Sequence, residues 1–288
     1  MPLNNSSNTQ VTNFALQIGG ANNQLANAAP PSTQTMFLSG GPSANSTFTN
    51  TCASNMTFSN SEAGVTKRIS NSNTTTSPSA IKNITVAGSA GGDPFTHYGN
   101  VTNWSEGCDN SDSDAFVISQ SSSLGTNNVM RISTTGVVNY PMQPCFSAFN
   151  SSTDADVTGD GTVYTIICDS EIKDQNSDYD NSTGIFTAPV TGVYVFWQGF
   201  QLEDLGATFT SFYQKVTTSN RNYFPRIGSA ATLRDASNKV SLSSCVIADM
   251  DAGDTAYLEL MVSGGTKTVD LKGDATTVYT YFMGKLFA

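Results

Sequence analysis

The residues of this chain that could support catalysis are few and far apart. The sequence has one histidine, His97, in a turn segment rich in glycine and proline. A Ser/His/Asp triad or a Cys/His pair would depend on it, and no partner motif lies beside it. Glu203 and Asp204 are acids of the kind that glycoside hydrolysis uses, but such partners meet only in space. The pattern favours a surface or packing role for His97, a solvated turn for the two acids, and no enzymatic activity.

An acidic segment over 154–161 raises the question of a metal site. Asp154, Asp156 and Asp160 could supply oxygen ligands to calcium, but Thr158 stands where the EF-hand spacing needs an acid. A polar loop is therefore favoured over a calcium site, and no other cofactor is expected. The five cysteines are widely spaced and form no CxxC pair, which makes zinc an unlikely ligand of this chain.

A second acidic run, over 109–114, invites the same question. Asp109, Asp112 and Asp114 could share a cation only if several chains brought them to a common axis. The sequence itself favours an acidic turn between two strands.

Aromatic residues in the second half could stack on a sugar or on a surface protein. Trp197 lies inside an apolar run, which predicts core packing, whereas Tyr213, Tyr223 and Phe224 have more polar neighbours. The segment around Tyr223 is predicted to be a loop and is the better recognition candidate. The predicted receptor-binding residues are Asn220, Arg221, Asn222, Tyr223, Phe224 and Arg226.

Composition limits the class of protein. Charged residues make up 12% of the 288 residues, and the net charge is −10 with no basic run, which argues against nucleic-acid binding. No stretch approaches the ~20 apolar residues of a membrane span. The first residues also lack a basic region followed by an apolar stretch. We therefore expect no membrane insertion, and assembly in a host cytoplasm.

The chain reads as three regions. Residues 1–40 are poor in charge and contain Pro30-Pro31, which predicts an extended anchoring arm, with a frayed terminus as an equal alternative. Within the arm, the segment 14–18 could add a strand to a partner's sheet. Residues 41–143 predict a stem of β-hairpins, and 144–288 predict an all-β sandwich.

Short strands account for most of the predicted structure. In the stem, Val101 and Trp104 are candidate packing anchors. The predicted stem strands are 56–58, 81–86, 115–119, 129–133 and 137–140. The predicted strands of the second half are 162–167, 184–189, 192–200, 209–216, 230–233, 240–248, 256–262 and 277–287.

The stem has few apolar residues in each strand. One copy would bury little against the ~1–2 kcal/mol of backbone entropy that each ordered residue loses. Three copies wound about one axis could bury the same residues against each other. The sequence therefore predicts a homotrimer.

Four separated motifs in the second half carry a family resemblance. They are Gln143–Ala148, the run from Asn181 through Ala188-Pro189 to Phe196, the Ala252-Gly253-Asp254 turn with Tyr257, and Tyr281-Phe282-x-Gly284-x-Leu286. Over about 144–288 the chain resembles the globular head of the complement and tumour necrosis factor superfold. The resemblance implies a ten-stranded jelly roll that assembles as a tight trimer. No collagen-like Gly-x-y stem precedes it.

The segment before the head carries a second resemblance. From Trp104-Ser105 through the acidic run to Thr134-x-Gly136, it is similar to stems of phage tail-fibre and related virion proteins. That resemblance covers about 90–143. It implies a viral appendage, located on the virion surface.

Three functions follow from these patterns. The first is a homotrimeric fibre, spike or capsid decoration of a bacteriophage, anchored to other virion proteins by its arm and attaching to a host glycan or protein. The second is a capsid cement protein without receptor binding. The third is a tail-borne polysaccharide depolymerase, opposed by the lone histidine and the absence of β-helix repeats.

Overall fold

The computed structural model describes residues 17–19, 25–27, 82–86 and 92–288, and divides the chain into the units 1–80 and 81–288. In the first unit, β1 (Gln17–Gly19) and β2 (Leu25–Asn27) pair antiparallel. The rest of the predicted arm, and the predicted strand 56–58, lie outside the described residues. No helix in the described ranges is long and apolar enough to cross a bilayer.

The stem is a five-stranded antiparallel sheet in which each strand pairs with the next along the chain. Its strands are β3 (Phe95–Tyr98), β4 (Trp104–Asp109), β5 (Ala115–Ser119), β6 (Asn128–Ile132) and β7 (Val138–Asn139). The predicted run of hairpins is confirmed. The acidic turn is also confirmed, because a 3-10 turn spans Asn110–Asp112 and Asp109 caps it by accepting from the Ser111 N–H.

Two stem predictions are wrong. Residues 82–86 form no strand. Val101 is not a packing anchor: it lies in the bend between β3 and β4 and is 99% exposed, while Trp104 is also exposed. Both errors arise because an apolar residue in a short polar segment can lie on a turn or an open face as readily as in a core.

The head is a sandwich of two antiparallel sheets. Its elements are β8 (Cys145–Phe149), β9 (Asp154–Thr158), β10 (Val163–Ile166), β11 (Ser170–Asp174), β12 (Tyr179–Asp180), β13 (Ile185–Thr187), β14 (Gly192–Glu203), β15 (Ser211–Thr218), β16 (Asn222–Gly228), α1 (Ala230–Leu233), β17 (Val240–Met250), β18 (Thr255–Ser263), β19 (Val269–Leu271) and β20 (Tyr281–Leu286).

The strand order is that of a jelly roll. One sheet has seven strands in the order β11-β8-β20-β14-β19-β9, with β17 also pairing with β14. The other has six strands in the order β12-β13-β18-β15-β16, with β10 also pairing with β18. The chain crosses repeatedly from one sheet to the other, as between β13 and β14 and between β17 and β18. The predicted all-β class with a C-terminal jelly-roll sandwich is confirmed.

One predicted head strand is wrong. Ala230–Leu233 forms the four-residue helix α1, the sole α-helix of the described residues. The Arg234 N–H donates to the Ala230 carbonyl, and the Ala231 N–H donates to the carbonyl of Phe209. Alanine and leucine favour helix formation. Because both N–H groups find carbonyl acceptors in this connection, a helical turn forms here and not a strand.

The core lies between the two sheets and is rich in aromatic rings. Phe146 stacks on Tyr179 at 4.7 Å and on Phe186 at 5.0 Å between ring centroids. Phe196 and Phe282 pack beside these rings, with 5.5 Å between the centroids of Phe196 and Phe282. These rings come from strands of both sheets: Phe146, Phe196 and Phe282 from one sheet, and Tyr179 and Phe186 from the other. The spaced aromatic pattern of the sequence therefore specifies the core.

Candidate functional site

The candidate catalytic residues are engaged in local structure. His97 is exposed, and its Nε2 lies 3.2 Å from Asn103 Oδ1. Glu203 is not the solvated turn acid that was predicted: it ends β14, accepts from Lys239 Nζ at 2.6 Å and lies 3.7 Å from Lys272 Nζ. Asp204 follows as an exposed residue with φ 60°. The Glu203 and Asp204 pair is thus a strand terminus held by lysines.

The three predicted calcium ligands are used separately. Asp154 accepts from Asn150 Nδ2 at 2.7 Å, and the Asp156 N–H donates to Asp270. Asp160 accepts from the side chain and the N–H of Thr162, which hold the pKa of Asp160 below its ordinary value. In 82–86 and 92–288, no group of three acids, cysteines or histidines is placed to hold a metal. The three acids are thus engaged separately in local hydrogen bonds, and calcium binding stays a hypothesis of the sequence.

The predicted receptor loop is a strand and a turn. Asn222–Gly228 forms β16, the edge of the six-stranded sheet, so placing these residues in a loop was wrong. Pro225 and the arginines concealed the strand in the sequence, and edge strands are where proline is tolerated. Arg226 on this strand is exposed.

The turn before β16 is held by acids of the neighbouring turn. Asn220 Nδ2 donates to the Asp249 carbonyl and to Asp254 Oδ2, and Arg221 Nη2 lies 2.5 Å from Asp249 Oδ2. The N–H of Asp249 itself and the Arg221 guanidinium hold the pKa of Asp249 below its ordinary value. Asn220 and Arg221 thus fasten two turns together. The predicted tight turn over 251–254 is confirmed, because the Asp254 N–H donates to the Asp251 carbonyl.

Tyr223 and Phe224 point to opposite sides of β16, as alternation along a strand requires. Tyr223 is half-buried and packs against the core. Phe224 is exposed and meets Tyr213 edge to face at 5.3 Å between centroids. Phe224 and Tyr213 therefore pack together on the outer side of this sheet, and a role in recognition stays a prediction.

These rings belong to an apolar surface that crosses four strands. The register places Ile227 opposite Tyr213, Tyr213 opposite Met261, and Met261 opposite Val163. Ile227 is 72% exposed and Val163 is 48% exposed. We call the surface formed by Val163, Tyr213, Phe224, Ile227 and Met261 the six-strand face.

The next row of this sheet carries a partly sequestered ion pair. Lys215 Nζ lies 2.5 Å from Glu259 Oε2, with about an eighth of each side chain exposed. The same ammonium lies 5.9 Å from the ring centroids of both Tyr213 and Phe224. The Lys215 ammonium therefore lies within cation–π range of both rings.

The other sheet also presents apolar residues outward. Trp197 was predicted to pack in the core, and this is wrong, because its side chain is 37% exposed. Its neighbours Tyr194, Phe196 and Phe200 are buried. The two-residue period of β14 sends these side chains inward and turns Trp197 outward.

Residues of adjacent strands extend this second surface. Trp197 lies opposite Met283 on one side and Cys245 on the other, and Val195 lies opposite Ile247. Tyr281 lies opposite both Gly199 and Phe149. We call the surface formed by Phe149, Val195, Trp197, Cys245, Ile247, Tyr281 and Met283 the seven-strand face. The sequence of 194–202 does not mark Trp197 as outward, because apolar residues occupy both sides of the strand there.

Comparison with known proteins places this domain. A family model described as the C1q domain matches residues 148–286. The globular domain of zebrafish complement 1qA protein matches with 20% identity over 51% of this chain and 98% of that chain, at a TM-score of 0.35. Murine APRIL at pH 8.5 matches with 12% identity over 50% of this chain and 99% of that chain, also at 0.35. No curated protein matches the chain.

Residues 148–286 are thus similar to the C1q domain, and the head they form has a jelly-roll fold. This confirms the resemblance of the head that the sequence motifs carried. Domains of this class are generally non-enzymatic.

Proposed function

We propose that this protein is a homotrimeric structural subunit of a bacteriophage fibre, spike or capsid decoration, whose C1q-type head attaches to the host surface. C1q-like and tumour-necrosis-factor-like domains typically form homotrimers. The observation that carries the proposal is the seven-strand face, an apolar surface on the outside of a sheet that already has its core on the inside.

The exposure of the seven-strand face argues that another copy of the same chain covers it. Ile247 is 60% exposed, and Trp197 and Cys245 lie beside it on the surface. Contiguous apolar surface on a soluble domain marks an interaction site. The only cation close to Trp197 in the described head is Lys285, at 6.0 Å from the ring. Lys285 lies on this surface, opposite Val195, but the residues beside Trp197 are mostly apolar, which suits burial in an oligomer.

The edge strand β17 supports the same conclusion. It has 11 residues, pairs with β14 and with no further strand, and contains neither proline nor lysine. Its one charged residue, Asp249, lies next to its end. Long edge strands with few charges invite pairing or aggregation, and folded proteins normally protect them. A neighbouring copy would cover the edge of β17 together with the seven-strand face.

The viral part of the proposal rests on the resemblance of residues 90–143 to stems of phage tail fibres. In this view the chain lies on the virion surface after assembly in the host cytoplasm, and its N-terminal arm contacts other virion proteins. Neither membrane insertion nor nucleic-acid binding is part of the proposal, in keeping with a net charge of −10.

Host recognition is assigned to the six-strand face, which lies on the sheet opposite the proposed trimer contact. Tyr213 and Phe224 offer two rings at an angle to each other, and Ile227 lies exposed opposite Tyr213. Rings of this kind supply much apolar area and a polar edge at recognition surfaces. The occupant would be a glycan or protein of the host surface, bound weakly by each head and tightly by three together.

The first test is the solution mass of the full chain by light scattering, with and without a chelator. A mass near three times the chain mass of 30.4 kDa is expected, and the chelator is expected to leave it unchanged. Loss of the trimer on chelation would restore the calcium hypothesis. A monomer would contradict the proposal.

Two matched substitutions separate assembly from recognition. Ile247→Asp places a carboxylate on the seven-strand face and should yield monomers. Val163→Asp places one on the six-strand face and should keep the trimer mass while lowering adsorption to host cells. If Val163→Asp adsorbs like the parent protein, the assignment of recognition to this face is wrong.

A further inference from the structure

The stem sheet has two chemically different sides. The register places Cys108 opposite Phe116, Phe116 opposite Ile132, and Ile132 opposite Val138, which makes one row across four strands. Ile118 opposite Met130, and Tyr98 opposite Trp104, extend the same side. We call the surface formed by Tyr98, Trp104, Cys108, Phe116, Ile118, Met130, Ile132 and Val138 the apolar stem face.

None of these eight side chains is buried. Tyr98, Trp104, Cys108, Phe116 and Val138 are exposed, and the other three are half-buried. Glu106 is the charged residue in the strands on this side, and its carboxylate accepts from the Tyr98 hydroxyl at 2.7 Å. Lys82 Nζ reaches Thr96, the residue directly opposite Glu106, so a cation lies close to this acid.

The opposite side of the stem sheet is mostly small or polar, although the register also places Phe95 there, opposite Gly107. Ser105, Asp109, Ala115 and Val117 are buried there under the stem's own loops. Arg131, which lies opposite Val117, pairs with Asp112 at 2.5 Å. Apolar residues thus dominate the apolar stem face, on which Glu106 also lies, and Arg131 projects from the other side.

A single sheet of this composition lacks a core of its own. Between residues 92 and 143, Ala115 and Val117 are the only buried apolar side chains. Stable sheets bury one face against a second layer, and apolar surface contributes about 25 cal/mol for each Å² removed from water. The apolar stem face is the surface available for such a layer.

We propose that two further copies of the same stem supply this layer, so that three apolar stem faces pack against each other around one axis. The inference rests on the proposed homotrimer. A surface that is apolar over most of its width is compatible with itself, whereas a charged partner would find no complementary group on the row from Cys108 to Val138.

The junction with the head favours this occupant over a foreign protein. β7 ends at Asn139 and β8 begins at Cys145, so the stem enters the head within a few residues. Gln175 Nε2 donates to the carbonyls of Tyr140 and Gln143, and Asn176 Nδ2 donates to that of Met142. A trimer of heads therefore holds three stems close together, at a high effective concentration.

Two native thiols report separately on the two interfaces. Cys108 belongs to the apolar stem face and Cys245 to the seven-strand face, and both are exposed on the single chain. The experiment is maleimide labelling of the native full-length protein, with the rate at each cysteine followed by peptide mass spectrometry. We expect both thiols to react about tenfold or more slowly than in the unfolded chain.

Each combination of rates has one meaning. Slow Cys108 and slow Cys245 support both proposals. Fast Cys108 with slow Cys245 overturns the stem inference and leaves the head trimer standing. Slow Cys108 with fast Cys245 supports the stem contact and contradicts the head trimer. Fast labelling at both sites contradicts both.

A neighbouring pair of valines provides the matched variants. Val138 lies on the apolar stem face, and Val137, the residue before it, lies in the turn and is more exposed. Val138→Asp is expected to raise the labelling rate of Cys108 about tenfold or more without changing that of Cys245. Val137→Asp is expected to change neither rate. Equal effects of the two substitutions on Cys108 would overturn the inference.

Discussion

Gly284 lies directly opposite Phe196 in the pairing of β20 with β14. A Cβ atom on Gly284 would lie 2.7 Å from Phe196 Cδ1 and 2.6 Å from Phe146 Cε1. The glycine therefore allows two core rings to close over the strand. This gives a packing reason for the glycine in the motif Tyr281-Phe282-x-Gly284.

Replacing Gly284 with alanine should destabilise the head. The methyl group would push both rings from their places in a closely packed core, and overpacking of this kind costs about 1–3 kcal/mol. Thermal unfolding measures the effect. Gly206→Ala is the control, because the nearest atom to a Cβ there is 3.6 Å away, and it should change stability little. Equal melting temperatures for the two variants would contradict this account of the motif.

Gln198 should be a site at which an apolar substitution stabilises the head. Its side chain is fully buried on the inner side of β14, and neither Nε2 nor Oε1 has a hydrogen-bond partner within the described part of the chain. Gln198→Met removes an unpaired polar group of similar size and should raise the free energy of unfolding by about 1–3 kcal/mol. Chemical denaturation measures it. A loss of stability would show that the amide is bridged by buried water.

Glu259 and Lys215 should behave as a coupled pair. Glu259→Gln leaves the sequestered ammonium of Lys215 without its carboxylate, and breaking a largely buried pair costs about 3 kcal/mol. The double variant Lys215→Met/Glu259→Leu should recover most of this loss, because it removes both charges from the site. Denaturant unfolding of Lys215→Met, Glu259→Leu and the double variant measures the coupling. Additive losses would contradict it.

Asp112 should make the stem sensitive to acid. The hydrogen bond from Arg131 holds the pKa of Asp112 below its ordinary value of 3.8. An acid whose pKa is lowered by folding stabilises the folded state fully at pH values above its ordinary pKa. This stability is lost as the pH falls through the pKa of the folded state. The stability of the stem should therefore fall as the pH drops below about 4.

The measurement for Asp112 uses Trp104, the stem's tryptophan, in a Trp197→Phe background so that no other tryptophan contributes. Its fluorescence during thermal unfolding is followed from about pH 6 to about pH 3. Asp112→Asn should be less stable at the upper end and should lose this part of the acid dependence. An unchanged slope would show that other acids dominate.

The sequence by itself determined the fold class and most of the strands. Two-residue alternation, turn residues and widely spaced aromatics predicted β5, β14, β17 and β18 with small errors at their ends. The motifs of the second half predicted the head. These features are local, because the period of a strand and the residue types of a turn can be read from the sequence without knowing which strand is paired with them.

What only the tertiary structure decided is which side of each strand faces the core. Trp197 and Phe196 are adjacent aromatics in one apolar run, and the pairing of sheets sends one outward and the other inward. Phe224 and Tyr223 are separated in the same way on β16. The acids 154, 156 and 160 read as one cluster, but each finds its own hydrogen-bond partner. Burial and charge pairing depend on residues that are distant in the chain, so neighbours in sequence do not reveal them.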